Sequence, residues 1–520
     1  MTLKHFYSFR ARVNSWRETT ATQNRAATLN NRMSKQLFAS RLLNSSLICA
    51  VLLLASCGGG DRDTVTSNPG NSADSLGVTT TSEDFGANGL PAFRLRTNNN
   101  GFNLIEGESI TVPVSIDRVN GHQENVNLTL SQPGAPDELL AMSLDRLTLQ
   151  AGETQALLNA TFRHGRQRAL EQQRSIVINA DDGLSSAQIT MLLNIRPTTL
   201  PDVYLLAGQS NMVGFSEFQA KDINPGGIDE PNPQIQQLNV TANDYVTFDS
   251  VTQFGNPQAQ TGFPQFVIAE DPLHTSKDPS LSSKVGTMVG MGLTFAKRAL
   301  INDGTHRIIL VPAAWSSTGF CDTGEFLSGF GDAPDYVEEG ELGWNPFEQT
   351  DSVFGGTTLF NRAVLRANLA IQNSSGILRG ILWHQGESDG DNADCAATYA
   401  ENLATLASEL RTRIIPDARG AEARGANSDV PFIAGTMSRG NDFRGDFSEF
   451  SESKQIVDSV HRTIGAQGVI PHYGVAILDD IIPANNFPCG EGSCVHFGSE
   501  AYREIGNRYY QTLESVLSQP

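Results

Sequence analysis

The chain has 520 residues, of which 39% are hydrophobic and 18% charged, a balance typical of globular proteins with room for two or three domains. Its formal net charge is -20, and beyond residue 56 the chain holds 29 basic against 56 acidic residues, a balance of -27. Because phosphate binding depends on clustered Lys and Arg, this composition argues against nucleic acid as a partner.

Residues 1–56 are predicted to be a leader that directs export. Lys35 and Arg41 precede an apolar run at 47–54 that is too short to span a bilayer permanently. Met33 is an alternative start, so the residues before it are either an extension or part of a long leader. The basic residues followed by a short apolar run therefore indicate a secretion signal.

The sequence LASC at 54–57 resembles the bacterial lipobox. This resemblance implies that Cys57 is lipidated and that the protein contacts a membrane through this anchor only, in the outer membrane or at the cell surface. Cleavage by the ordinary signal peptidase is the alternative. Residues 57–89 begin with three glycines and are predicted to be a flexible tether.

Cysteine usage agrees with export. An even number of cysteines remains for the mature domains, and in an oxidising compartment this predicts two disulfides. The candidates are Cys321, Cys395, Cys489 and Cys494, and the last two are the easiest pair to close. No paired Cys-x-x-Cys or His-Glu-x-x-His spacing predicts a metal site.

Residues 90–197 are predicted to form an all-β sandwich of immunoglobulin-like type. Six short alternating segments separated by turn residues fall in this range, and no helical period does. The domain offers no catalytic constellation, so we expect a spacer or binding module, joined to the next domain by a stiff linker at 197–201.

Residues 202–518 alternate apolar strands with amphipathic helices, which predicts a parallel sheet covered by helices on both sides. The predicted strands are Val203–Ala207, Arg307–Val311, Ile377–Trp383, Pro431–Ala434 and Gly474–Leu478. Apolar residues at helical spacing in 360–371 and 399–410 predict two helices. Two long, weakly periodic stretches, 216–284 and 316–356, are predicted to be loops beside an active-site cleft.

Ser210 lies directly after the first of these strands, in the sequence VYLLAGQSNMVGF. Gly208 allows a sharp turn that exposes the next side chains at the carboxyl edge of the sheet, where open α/β sheets bind ligands. On its own, this pattern is also consistent with a serine that caps the following helix.

Three further segments favour a functional role for Ser210 over a helix cap. They are GILWHQGESDGD at 380–391, CVHFGSEAYREIGNRYY at 494–510 and VGMGLTFAKRAL at 289–300. With GQSNM, they resemble in order the SGNH-hydrolase superfamily, specifically its sialate O-acetylesterase-like and acetyl xylan esterase-like carbohydrate esterases. The resemblance covers about 202–515 and implies a three-layer α/β hydrolase domain. It also implies an acetylated carbohydrate as substrate.

The resemblance assigns roles residue by residue. Ser210 matches the nucleophile and His496 the general base of acyl transfer. Gln385 matches a side chain that donates to the oxyanion hole, together with backbone amides of Ser210 and of the glycine pair, Gly290 or Gly292. No metal or organic cofactor is expected.

The third member of the triad departs from the family pattern. Relatives commonly place Asp three residues before the catalytic histidine, and here that position is Ser493, which carries no charge. Glu387 is the favoured replacement, Glu491 is a second candidate, and a Ser-His dyad is the third possibility. A structural carboxylate is the competing interpretation of Glu387.

Two other functions are alternatives to the acetylesterase. A lipase-like SGNH hydrolase needs an apolar acyl groove, whereas the predicted loops are polar and acidic. A degenerate carbohydrate-binding surface lipoprotein gains weight from Ser493, but the presence of Ser210, Gln385, Glu387 and His496 argues against decay. The sequence leaves the oligomeric state and the ligand of the sandwich open.

Overall fold

The computed structural model describes residues 89–519 except 135–136, 215–221, 240–265, 275–288, 302–303, 316–317, 322–342, 348–358, 415–428, 438–450 and 482–495. The predicted leader, the predicted lipidation site Cys57 and nearly all of the predicted tether lie outside the described residues. The same holds for Glu491, Cys489 and Cys494.

The amino-terminal part of the described chain consists of two β-sheets around one core. Its strands are β1 (Ala92–Thr97), β2 (Gly101–Ile105), β3 (Ser109–Val119), β4 (Val126–Ser131), β5 (Leu140–Leu144), β6 (Thr148–Leu149), β7 (Gln155–Phe162), β8 (Gln172–Asp181) and β9 (Ser186–Arg196). One sheet has the order β1-β3-β7-β5 and the other β2-β9-β8-β4-β6. All paired strands are antiparallel except β2 and β9.

Side chains alternate between the core and the outside along these strands. In β7 every second residue is buried, as expected for a strand with one face packed inward. Leu158 of one sheet and Met191 of the other belong to the same apolar cluster and are fully buried. The all-β prediction for this region is therefore correct in its secondary structure, although it missed β1, β2 and β5.

The second part is a seven-stranded sheet with helices. Its strands are β10 (Asp202–Gly208), β11 (Ile235–Leu238), β12 (Phe266–Ile268), β13 (Ile308–Ala314), β14 (Ile377–His384), β15 (Phe432–Gly435) and β16 (Tyr473–Ala476), in the order β12-β11-β13-β10-β14-β15-β16. Neighbours are parallel except β11 and β12. All five predicted strands are found, and β11 and β12 lie in a stretch predicted to be loop.

The described helices are α1 (Ser210–Val213), α2 (Gly292–Ala299), α3 (Leu359–Ser374), α4 (Ala393–Arg413), α5 (Glu452–Thr463) and α6 (Ser499–Leu517), with a 3-10 turn at Asp389–Asp391. Alternate residues of β10 enter two different apolar clusters. Leu205 packs with residues of α3, α4 and α5, whereas Leu206 packs with residues of α2 and α6. Since successive strand residues point to opposite faces, helices cover both faces of the sheet.

A buried ionic cluster joins the β-sheet pair to the amino ends of β10 and β14. Arg379 donates to Glu106 Oε1 at 2.8 Å and to Asp202 Oδ1 at 2.9 Å, and all three side chains are almost fully buried. His306 Nε2 lies 2.9 Å from Asp202 Oδ2, and His164 Nδ1 lies 3.2 Å from Glu106 Oε1. This cluster fixes the starts of the two strands whose other ends carry the predicted site.

Candidate active site

The turn that presents Ser210 depends on Gly208. Gly208 has φ +137°, and a Cβ there would lie 2.1 Å from the carbonyl oxygen of His384. The backbone N–H of Gln209 donates to that same carbonyl at 2.9 Å, which ties the turn to the end of β14. Ser210 then begins the short helix α1 and is 5% exposed. Close contact between β10 and β14 therefore requires glycine at the turn that leads to the predicted nucleophile.

The segment after β14 turns just as sharply. Gly386 has φ +148°, and a Cβ there would lie 2.9 Å from Val457 Cγ1 and 3.0 Å from Met437 Sδ. This turn brings the next residue, Glu387, to helix α1, where its Oε1 accepts a hydrogen bond from Asn211 Nδ2 at 2.7 Å. Two of the predicted motifs are thus joined by one buried hydrogen bond, next to Ser210.

The two oxygens of Glu387 have different surroundings. Oε1 accepts from Asn211, whereas Oε2 is buried and has no hydrogen-bond partner among the described residues. Burial raises the pKa of this carboxyl. The rise is opposed by hydrogen bonds from its own backbone N–H and from Asn211, and by the charges of His496 and Lys454. A buried, incompletely paired carboxylate is typical of sites that perform chemistry.

His496 precedes helix α6 and is partly buried. Burial lowers its pKa, and the charge of Glu387 opposes this shift, so the two side chains are within electrostatic range of each other. A lowered pKa keeps the imidazole neutral at pH 7, the form in which it can accept a proton. Glu387 therefore interacts both with the helix that begins at Ser210 and with the predicted base.

Gln385 is fully buried and engaged within the protein. Its Nε2 donates to Asp389 Oδ2 at 2.6 Å and to the carbonyl oxygen of Thr318 at 3.1 Å, and its Oε1 accepts from Tyr399 at 2.9 Å. Since an amide nitrogen has two hydrogens, both are used here. Donation to an oxyanion requires one of these bonds to be redirected when substrate binds, and the oxyanion role of Gln385 stays a prediction.

Gly290 lies beside helix α1, and Gly292 begins α2. A Cβ on Gly214, at the end of α1, would lie 2.4 Å from Gly290 Cα, so the two backbones touch. A Cβ on Gly292 would lie 2.6 Å from Leu273 and 2.7 Å from Leu206, which places Gly292 against the core. Gly290 is therefore the member of the pair that contacts α1, at the carboxyl end of that helix.

His384 lies at the end of β14, beneath the predicted site. Its Nδ1 is 2.9 Å from the Tyr509 hydroxyl, and its Nε2 is 3.9 Å from Glu387 Oε1. Burial lowers the pKa of His384 to about 4, so the ring is neutral at pH 7. A buried, neutral ring hydrogen-bonded to Tyr509 is typical of a structural histidine.

Several polar residues of the site were not singled out from the sequence. Tyr502 donates to Asn211 Oδ1 at 2.9 Å, and Tyr399 contacts Gln385 and His461 Nε2, the latter at 3.1 Å. Asp389 accepts from Gln385 and from the backbone of Phe320, and burial raises its pKa to about 6. Asp389 is part of the polar segment after β14, which is the signal that could have drawn attention to it.

Two of the four candidate cysteines, Cys321 and Cys395, form a disulfide. It joins the segment after β13 to the first turn of α4, close to Asp389. The ligand atoms of Cys321, Asp389 and Cys395 lie within 4.8 Å of one another, the one metal-like grouping among the described residues. Because both sulfurs are oxidised, they offer no thiolate to a metal.

No helix within the described ranges combines the length and apolar character needed to cross a membrane. A search of curated proteins gives no match to the chain. Solved structures similar to parts of it include domains 4 and 5 of the S-layer protein SbsC, with 14% identity, a TM-score of 0.16, and coverage of 20% of this chain and 53% of that one. The chain therefore spans about half the length of that structure.

Two other similar structures also match less than a third of the chain. The YadV chaperone is 8% identical, with a TM-score of 0.17, and the match covers 20% of this chain and 53% of the chaperone. The ZirS C-terminal domain is 13% identical, with a TM-score of 0.14, and the match covers 29% and 98%. A family model described as carbohydrate esterase, sialic acid-specific acetylesterase matches residues 201–515. Because this match covers more than half of the chain, the chain belongs to this esterase family.

Proposed function

We propose that the protein is a serine esterase that removes O-acetyl groups from a carbohydrate through an acyl-enzyme on Ser210. The hydrogen bond from Asn211 to Glu387 is the observation that carries this proposal, because it joins the nucleophile turn to the carboxylate that interacts with His496. Membership of a carbohydrate esterase family supports the reaction class. The wider architecture proposed is a three-layer SGNH-type domain preceded by an immunoglobulin-like sandwich.

In the first half-reaction, Ser210 Oγ attacks the acetyl carbonyl carbon while His496 takes the hydroxyl proton. The ester C–O bond then breaks, and His496 returns the proton to the departing sugar oxygen. In the second half-reaction, water attacks the acetyl carbonyl carbon of the acyl-enzyme while His496 takes a proton from it. The bond to Ser210 Oγ then breaks, His496 returns the proton to that oxygen, and acetate leaves. Glu387 stabilises the imidazolium that forms in each half-reaction.

The oxyanion of each tetrahedral intermediate needs hydrogen-bond donors. The backbone amides of Ser210 and of Gly290 or Gly292 are the proposed donors, because Gly290 lies against the nucleophile helix. Gln385 joins them if one of its amide hydrogens leaves Asp389 or Thr318. Losing one such donor typically costs about 3 kcal/mol of transition-state stabilisation.

Acetate release tests the proposal directly. Purified protein should release acetate from at least one member of a panel of O-acetylated sialic acids, xylans and pectins, and Ser210→Ala should reduce this to background. Ser515→Ala, at an exposed position near the end of α6, is the matched control and should keep full activity. Undiminished acetate release by folded Ser210→Ala would overturn the proposed mechanism.

We also propose that the chain is exported and anchored by lipid on Cys57, on the strength of its resemblance to the lipobox. Mass spectrometry of the mature protein should find a lipid-modified Cys57 at the amino terminus. Cys57→Ser should release the protein into the soluble fraction without loss of acetate-releasing activity, since the tether adds nothing to a core. An unmodified mature terminus contradicts the proposal.

A further inference from the structure

Three side chains form a buried hydrogen-bonded chain behind the proposed nucleophile. The Tyr502 hydroxyl donates to Asn211 Oδ1 at 2.9 Å, and Asn211 Nδ2 donates to Glu387 Oε1 at 2.7 Å. Tyr502 and Asn211 are at most 1% exposed and Glu387 is 7% exposed. The chain links α6, the nucleophile helix α1 and the turn after β14.

The direction of these bonds fixes the orientation of the Asn211 amide. A phenol hydroxyl that donates to the amide oxygen leaves the NH₂ group facing Glu387. The opposite orientation would place the amide oxygen against a carboxylate oxygen, with no hydrogen between them. An ionised Glu387 therefore selects the orientation in which the Asn211 NH₂ faces it, and the Tyr502 hydroxyl supports that orientation by donating to the amide oxygen.

The two oxygens of Glu387 differ in their hydrogen bonding. Oε1 is occupied by Asn211, whereas Oε2 is buried and has no hydrogen-bond partner among the described residues. A buried carboxylate oxygen without a partner is costly, and a functional role is one reason for a protein to retain it. His496 interacts electrostatically with this carboxylate and becomes positively charged in the proposed reaction.

We propose that Asn211 is a positioning residue, held by Tyr502, which keeps Glu387 ionised and leaves its Oε2 available to the His496 imidazolium. The inference rests on the proposed function, since it concerns the same site. It assigns Asn211, the residue after the nucleophile, to the orientation of the acid and not to contact with substrate.

A pH profile separates this role from simple structural support. The active form needs an ionised Glu387 and a neutral His496, so loss of the Asn211 donor should move the acid limb of kcat to higher pH. The other groups that act on this carboxylate come from several elements and are unchanged in the variant: His384, Lys454, Tyr399, Tyr509 and His496. A purely structural loss would lower the active fraction without moving the limb.

The experiment compares Asn211→Ala, Tyr502→Phe and the control Tyr510→Phe, with kcat normalised to active sites counted by an acyl-enzyme burst. Asn211→Ala should lower kcat about 10- to 100-fold, the range for a hydrogen bond to a charged group, and should shift the acid limb upward. Tyr502→Phe should shift it in the same direction by less. Tyr510, whose hydroxyl contacts Glu514 on the outer side of α6, should tolerate Phe.

The outcomes distinguish the two proposals. Active Ser210→Ala overturns the proposed function, whereas inactive Ser210→Ala with a wild-type pH profile in Asn211→Ala overturns only the positioning role. If Asn211→Ala fails to fold, Tyr502→Phe decides, because it keeps the ring and removes a single hydroxyl. An unchanged acid limb in Tyr502→Phe then counts against the inference.

Discussion

The two ends of strands β10 and β14 bury charged groups to a similar extent but in opposite ways. At the amino end, Arg379 lies between Glu106 and Asp202, and although burial opposes ionisation, the Arg379 charge and hydrogen bonds hold the pKa of Glu106 at about 2. At the carboxyl end no arginine is hydrogen-bonded to Glu387 or Asp389 within the described residues. There burial prevails, and it raises the pKa of both acids.

This difference distinguishes buried carboxylates that hold the structure together from buried carboxylates that can take part in chemistry. A carboxylate paired with arginine stays ionised throughout the working range and fixes the geometry of neighbouring elements. A carboxylate buried without a hydrogen-bonded arginine has a raised pKa, so its charge depends more strongly on the other groups around it. The amino end of the sheet therefore holds its charges in fixed pairs, whereas the carboxyl end carries the acids whose ionisation the proposed reaction would use.

The sharpest test of the carboxyl end is Glu387→Gln. If this carboxylate stabilises the imidazolium of His496, the amide variant should lose about 10⁴-fold in kcat, as triads do when their acid becomes an amide. Its unfolding free energy should not fall, because the substitution removes a buried charge that lacks a full set of partners. Acetate release and urea unfolding measure the two effects separately.

Glu491→Gln is the matched comparison, since Glu491 is the other candidate for the acid. It should retain most of the activity. Loss of activity in Glu491→Gln together with near-normal turnover in Glu387→Gln would reassign the acid, and full activity in both would favour a Ser-His dyad.

The amino end is tested by Arg379→Met. Removing the shared partner leaves Glu106 and Asp202 buried with uncompensated charge, which should lower the unfolding free energy by about 3–5 kcal/mol. Molecules that remain folded should keep their kcat, because the site lies at the opposite end of the strands. Arg413→Met removes a partly exposed ion pair with Glu409 and should cost less than about 1 kcal/mol. Equal destabilisation by both variants would contradict the role of Arg379 as the shared partner of two buried carboxylates.

The sequence predicted most of the α/β framework because β10 and β13 contain continuous apolar runs, β14 is apolar except for Arg379 and its last residue, and the helices repeat apolar residues on one face. Strands β11 and β12 were missed since they have four and three residues within a stretch rich in Gly and Pro. So short a segment has no measurable period. Its pairing is decided by the neighbouring strand and not by its own composition.

The sequence shows the motifs of the candidate site but not the hydrogen bonds that connect them. Motif positions suggested Ser210, Glu387 and His496, but the bonds of Asn211 reach across 176 residues to Glu387 and 291 to Tyr502. A single sequence carries no signal for polar pairs at such separations. The same applies to the cluster at Arg379, whose partner Glu106 lies 273 residues away in the other part of the chain.

The pH dependence of stability is predicted to have opposite signs at the two ends. Burial raises the pKa of Asp389 from 3.8 to about 6, so between these values the folded protein holds a proton that the unfolded chain has lost. Stability from this group is therefore complete below pH 3.8 and declines as pH rises to 6, by about 3 kcal/mol at most. Glu106 is shifted from 4.5 to about 2, and its contribution is present above pH 4.5 and is lost as pH falls towards 2.

Urea unfolding of Asp389→Asn and the wild type between pH 4 and 7.5 checks this sign. The free-energy difference, variant minus wild type, should increase with pH up to about pH 6 and then level, because only the wild type is destabilised by ionisation of Asp389. Asp391→Asn, which removes an exposed carboxylate from the same turn, corrects for the general effect of charge. A difference that stays constant across this range would mean that Asp389 is ionised in the fold, and that the carboxyl end compensates its charges as fully as the amino end does.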